Sequence, residues 1–112
     1  GTLSCELPKT LVKKNDIHIT SKRNFDCFQD TELDMLLKRT LDVKNIIICG
    51  VNTDTCVYGT TFGASNRGYN PIVIECCTGS MRGEDQHITA LKIMSQSIAW
   101  VMKKEEILNK LN

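Results

Sequence analysis

The sequence has no excess of either charge: 14 basic and 13 acidic side chains leave a formal net charge of +1, with the two signs interspersed. That excludes the one-signed surface expected of a nucleic-acid or anionic-membrane binder, and the pair Lys13 and Lys14 is too small a cluster to alter it. No apolar run is long enough to span a bilayer, and the first residues do not have the form of a signal peptide, so a soluble protein is expected. Histidine is scarce. His18 and His87 stand at no zinc-ligand spacing from a cysteine or carboxylate, so this chain alone should build no metal site, and no cofactor is implied. The six cysteines include no CxxC pair. With the vicinal Cys76 and Cys77 and no secretory context, they fit a reducing cytosol better than a disulfide framework, which points to the cytoplasm. No repeat or linker divides the 112 residues, a length suited to one domain with a modest core.

What is present is concentrated in Asn45 to Val57, NIIICGVNTDTCV. Ile46, Ile47, Ile48 and Cys49 are continuously apolar and mostly β-branched, which suits a central strand covered on both faces, and Gly50 ends it. Asn52, Thr53, Asp54 and Thr55 are cap and turn formers, so a helix should begin beside Cys56 with its first N–H groups unpaired. A thiol at a helix N-terminus forms its thiolate more readily, which makes Cys56 a candidate nucleophile. By position alone a buried structural thiol is the commoner reading. Thr53 and Asp54 are expected to fix the turn by bonding to backbone rather than to move protons.

Along the chain, Glu6 to Asn15 reads as loop, with Pro8 excluding a central strand and Leu7 and Leu11 pinning it to the core. Asp16 to Ser21 alternates and predicts a strand that delivers Lys22 to its carboxyl end. Lys22 is either a solvated lysine or part of a site. Phe25 and Phe28 are pocket or core residues, with core the better reading for Phe28. Gln29 to Arg39 predicts a helix capped by Asp30 or Thr31, with Leu33, Leu36 and Leu37 at helical spacing. The resulting strand, helix, strand unit should be parallel with a right-handed crossover, and it puts Lys22 and Cys56 on the same rim of the sheet. The helix after Cys56 should run to about Arg67 with Val57, Thr60, Thr61 and Ala64 as a close-packing face and Gly68 at its end. Pro71 opens a strand over Ile72 to Glu75, and Thr78 to Gly83 is a rim loop. Glu84 begins a helix with the stripe Ile88, Leu91, Met94 and Ile98, while His87 reads as a surface or loop contact. Ala99 to Met102 predicts a short strand carrying Trp100. Lys103 to Asn112 predicts a terminal helix anchored by Ile107, Leu108 and Leu111.

GVNTDTCV, together with KRNFDCF upstream and TTFGASNRGY downstream, resembles the isochorismatase-like cysteine hydrolases, which include nicotinamidases, carbamoylsarcosine amidases and ureidoacrylate amidohydrolases. The resemblance implies a three-layer, Rossmann-like α/β fold with a mainly parallel sheet and helices on both faces. Residues 1–112 would be the C-terminal portion of one such domain, lacking a first strand and helix that bear a catalytic aspartate. It further implies hydrolysis of a small-molecule amide-like C–N bond by Cys56 with Lys22, and an oxyanion held by the N–H groups of Asn52 and Cys56 beside a cis bond between Val51 and Asn52. Phe25, Phe28 and Asn52 become pocket candidates. A binding or assembly subunit without activity is the rival reading, and redox sensing by Cys76 and Cys77 a third. Some relatives bind zinc through an N-terminal cluster, and a homo-oligomer is expected by analogy. Gly63 stands where relatives usually carry an acidic residue and Glu75 where many have aspartate, making Glu75 a pocket-edge or loop-anchoring carboxylate.

Overall fold

A computed structural model describes residues 6–112; the opening Gly1 and Thr2 lie outside them. A short α1 (Leu33–Met35) runs directly into a π-helical turn, Leu36–Thr40. Then β1 (Asn45–Val51), α2 (Cys56–Asn66), β2 (Asn70–Gly79), α3 (Glu84–Ser97), β3 (Trp100–Met102) and α4 (Lys104–Leu111) follow in order. The strands form one sheet, β1-β2-β3, with both pairings parallel. Parallel neighbours require a crossover, and α2 and α3 provide the two that are needed.

Layering follows from the side chains. Successive strand residues point to opposite faces, and the neighbours Val73 and Ile74 on β2 are both buried, so this central strand is covered on two sides. Val73 shares a cluster with Ile48, Val57, Ala90, Leu91 and Met94, where α2 and α3 lie on the sheet. Each such side chain removed from water stabilises the fold by about 1.5–3 kcal/mol. α4 also packs on β2 and buries Ile107. A second cluster, Phe28, Ala64 and Tyr69, ties the loop before α1 to the end of α2. The fold is the layered α/β arrangement with a parallel sheet and helices on both faces.

Several local expectations are corrected. β1 is an edge strand among the described residues; Ile46 and Ile48 face packed neighbours while Ile47 is 46% exposed. An apolar run reports a preference for cover, not which element supplies it. Asp16 to Ser21 forms no strand and Ile17 is exposed, because no strand lies beside it to complete a ladder among the described residues. The helix expected from Gln29 starts only at Leu33, since Asp30 adopts φ 56° and the Thr31 hydroxyl accepts the Leu33 N–H at 3.3 Å. Leu7, Leu11, Ile88, Leu108 and Leu111 are exposed, so Ala90, Leu91 and Met94 carry the inner face of α3 and Ile107 alone anchors α4. Gly68, with φ 87°, ends α2 in the left-handed conformation that glycine adopts most readily.

Candidate active site at the carboxyl end of β1

The site begins where β1 stops being regular. Its register against β2 shifts between Ile48 and Gly50, and the following Val51–Asn52 peptide bond is cis. The next four residues are stitched down from several sides. Thr53 N–H donates to the Gly79 carbonyl at 2.9 Å, and the Asn52 carbonyl accepts N–H groups from Thr55 and Val57 at 3.1 and 3.0 Å. Cys56 is thereby set as the first residue of α2, half-buried, facing the end of β1.

Side chains from the 80–87 segment complete the turn. The Thr53 hydroxyl, fully buried, shares a 2.7 Å hydrogen bond with His87 Nδ1. Asp54 accepts from Ser80 Oγ at 2.7 Å and Arg82 Nη1 at 3.2 Å. The Ser80 hydroxyl first, and then the Arg82 guanidinium, hold the Asp54 carboxyl below the usual carboxylate range. Thr53 and Asp54 thus use their side chains on other side chains, where bonds to backbone were expected; the partners come from about thirty residues downstream, beyond local turn chemistry. Asn52 Oδ1 accepts the Met81 N–H at 3.0 Å, so that amide anchors the rim loop. Neither the Asn52 nor the Cys56 backbone N–H has an acceptor among the described residues.

Lys22 reaches the same place by a different route. No strand carries it. Arg23 Nη1 donates to the Thr20 and Lys22 carbonyls at 2.9 and 2.8 Å, folding the chain back on itself. The loop that follows is clasped by α2: Cys27 N–H donates to Thr60 Oγ1 at 3.0 Å, and Thr60 Oγ1 lies 3.3 Å from the Phe25 carbonyl. Asp26 accepts the Phe28 N–H at 2.8 Å and pairs with Arg67 at 3.5 Å. The Asp26 carboxylate fills the space over Gly63; a Cβ there would stand 2.6 Å from Asp26 Cγ. Where the resemblance implies an acid on the helix, the acid arrives from the loop. Phe28 is 4% exposed and stacks on Tyr69 at 5.5 Å, which makes it core. Phe25 is 68% exposed and borders a separate hollow with Arg23, Asp26 and Gln29.

Lys22 and Cys56 line one cavity of about 180 Å³, with Cys27, Cys49, Val51 and Thr60 among its other walls. No carboxylate lines it among the described residues. Larger hollows lie elsewhere: one of about 350 Å³ borders Trp100 and the ends of α2 and α3, and one of about 450 Å³ is flanked by Glu75, Glu84 and His87. Neither is lined by a thiol. Glu75 is on the edge of a hollow other than that of Cys56. Among the described residues no group of three His, Cys, Asp or Glu side chains is placed to hold a metal ion, and no helix is long and apolar enough to cross a membrane. Reading the sequence missed Asp26, Thr60 and Arg67 as the clasp on the Lys22 loop. The only signal was the spacing of Thr60 and Arg67, with the glycine at 63 between them.

Known proteins share this fold. A solved isochorismatase-like hydrolase from Alkaliphilus metalliredigens superposes with a TM-score of 0.90 at 27% identity, covering 100% of this chain and 61% of that one. The nicotinamidase of Staphylococcus aureus does so with a TM-score of 0.69 at 35% identity, over 73% of this chain and 50% of that one. The isochorismatase family protein YecD of Escherichia coli O157:H7 is 33% identical over 97 residues, which are 87% of this chain and 50% of that protein. The chain spans about half the length of such curated relatives. The isochorismatase domain profile matches residues 1–106, and the chain belongs to the isochorismatase family.

Proposed function

We propose that the protein hydrolyses an amide-like C–N bond of a small molecule, with Cys56 as nucleophile and Lys22 as the cation that steadies the developing negative charges. The observation that carries this reading is that both side chains line one small cavity, with Cys56 at the first position of α2. A carboxylate takes the Cys56 thiol proton, and the thiolate attacks the carbonyl or carbamoyl carbon. The tetrahedral oxyanion then accepts the N–H groups of Asn52 and Cys56, each free of other acceptors among the described residues. One such donor typically contributes about 3 kcal/mol of transition-state stabilisation. The C–N bond breaks, the leaving amine takes the proton back, and water cleaves the thioester to release the acid and restore the thiol.

The family resemblance implies an aspartate as the proton acceptor. A purely binding or assembly role is the second reading, favoured by the lack of a carboxylate in the cavity among the described residues. Nicotinamidases among the structural neighbours make aromatic primary amides a first substrate class to try. The test is turnover of nicotinamide, ureido and carbamoyl compounds by the full-length protein, beside Cys56→Ala and Lys22→Ala. Cys56→Ala should abolish turnover while leaving the fold intact. Equal turnover by the parent and Cys56→Ala removes the thiol from the mechanism, and no turnover of any of these compounds by the parent favours the binding role.

A further inference from the structure

Three thiols meet at the irregularity in the sheet. Ile48 pairs with Val73 and Gly50 with Thr78, so the single residue Cys49 on β1 faces the four residues Ile74 to Cys77 on β2. In a regular strand the neighbours Cys76 and Cys77 would point to opposite faces. Here their sulfurs are 4.0 Å apart, which shows that the bulge has turned both to the same side. The Thr78 hydroxyl holds the bulge by donating back towards the Ile74 and Glu75 carbonyls, at 3.4 and 3.1 Å. Cys49, Cys76 and Cys77 are all exposed. Burial pushes the Cys49 thiol up, and the Cys77 and Cys76 thiols beside it add to the shift.

We propose that Cys49 and Cys77 form an oxidation site that takes up two electron equivalents of oxidant from a small-molecule disulfide and closes a bond across the β1–β2 bulge. Adjacent strands are about 4.8 Å apart, inside the roughly 4.4–6.8 Å span of Cα atoms that a disulfide bridges. Cys77, which is exposed, reacts first. Its thiolate attacks one sulfur of the small disulfide and expels one small thiolate, leaving a mixed disulfide. Cys49 then gives up its proton and attacks the Cys77 sulfur, the second small thiolate leaves, and the proton passes to solvent. Two protein thiols are oxidised and one small disulfide is reduced to two thiols. Cys49 is also a wall of the cavity that holds Lys22 and Cys56. Its capture by Cys77 moves that wall, so the oxidation state of the bulge sets access to Cys56; this consequence, unlike the bond itself, rests on the proposed function.

The test equilibrates the whole chain in glutathione buffers of rising oxidised fraction, then alkylates, digests and maps disulfides by mass spectrometry. The expected product has lost two hydrogen atoms and joins Cys49 to Cys77. Cys76→Ser should give the same bond, whereas Cys49→Ser should stop at the glutathione adduct. A bond between Cys76 and Cys77, a bond that uses Cys56, or an intramolecular bond that survives in Cys49→Ser overturns the assignment, as does a chain that stays fully reduced. Iodoacetamide labelling of Cys56 should slow severalfold in the oxidised form of Cys76→Ser. An unchanged rate, with the bond mapped, removes the link to the cavity and leaves turnover by the reduced protein as the separate test of hydrolysis.

Discussion

Replacing Gly63 by alanine should destabilise the protein, and the same replacement should stabilise it once Asp26 is gone. In the interior of a helix, glycine to alanine ordinarily gains about 1 kcal/mol. At this position the added Cβ would stand 2.6 Å from Asp26 Cγ, well inside any real contact. The carboxylate is not free to swing aside, because it accepts the Phe28 N–H at 2.8 Å and pairs with Arg67 at 3.5 Å. Forcing the methyl in costs about 1–3 kcal/mol as overpacking. Moving the carboxylate away instead gives up a hydrogen bond to a charged acceptor, worth about 1.5–3 kcal/mol. Either route at least matches the helix gain, for a net loss of up to about 2 kcal/mol. In Asp26→Ala the obstacle is absent and the ordinary gain of about 1 kcal/mol returns. Urea unfolding of the parent, both single variants and the double variant, compared at constant m-value, measures the coupling directly. A Gly63→Ala that stabilises with Asp26 present, or that has the same effect in both backgrounds, would refute the packing of Asp26 on α2.

Thr53→Val keeps shape but removes the buried hydroxyl bonded to His87 Nδ1 at 2.7 Å; it should cost about 1–3 kcal/mol in chemical unfolding, and a cost near zero would show the bond to be dispensable. Burial and then the Asp34 carboxylate push the Tyr69 hydroxyl up to about 12, while in the unfolded chain it titrates near its ordinary value of about 10. Between these values the native state holds the extra proton, so stability should fall as pH rises through that window, and Tyr69→Phe should flatten the slope. On the acid side the Tyr69 hydroxyl holds Asp34 below its ordinary value. That contribution is present at neutral pH and fades as pH falls below about 4 towards the native value; Tyr69→Phe should weaken this dependence too, as read by unfolding titrations across pH.

The elements that could be read from the sequence are those whose signals are local. The helix that begins at Cys56 and ends at Gly68 announces itself through turn formers on one side and a glycine on the other, and both boundaries are where they were expected. The buried run of β2 and the helix from Glu84 are equally plain. The failures share a cause: each depended on a neighbour distant in sequence. Asp16 to Ser21 has the alternation of a strand but no ladder beside it among the described residues. Leu7, Leu11 and Ile88 have the hydrophobicity of core but are exposed, because apolar character does not say which surface will be covered. The fastenings of Thr53 and Asp54 lie on His87, Ser80 and Arg82, residues that no spacing rule connects to the turn.

That dependence also explains how Lys22 reaches the Cys56 cavity without the strand expected to carry it. Cys56, Thr60, Gly63 and Arg67 recur at intervals of four, three and four, which puts them on one stripe of α2. The first residue presents the thiol, the second bonds the Phe25–Cys27 backbone, the third leaves room for Asp26, and the fourth pairs with it. The lysine loop and Cys56 are therefore referred to one rigid body, where two strand ends would have tied them through the whole sheet. Val57, Thr60, Thr61 and Ala64 read as a close-packing face; Val57, Thr61 and Ala64 are buried as such a face requires, while Thr60 bonds to the loop that brings Lys22 to the cavity. Fixing both groups to a single helix limits the number of soft torsions between them, and the proposed hydrolysis would need that more than a regular strand.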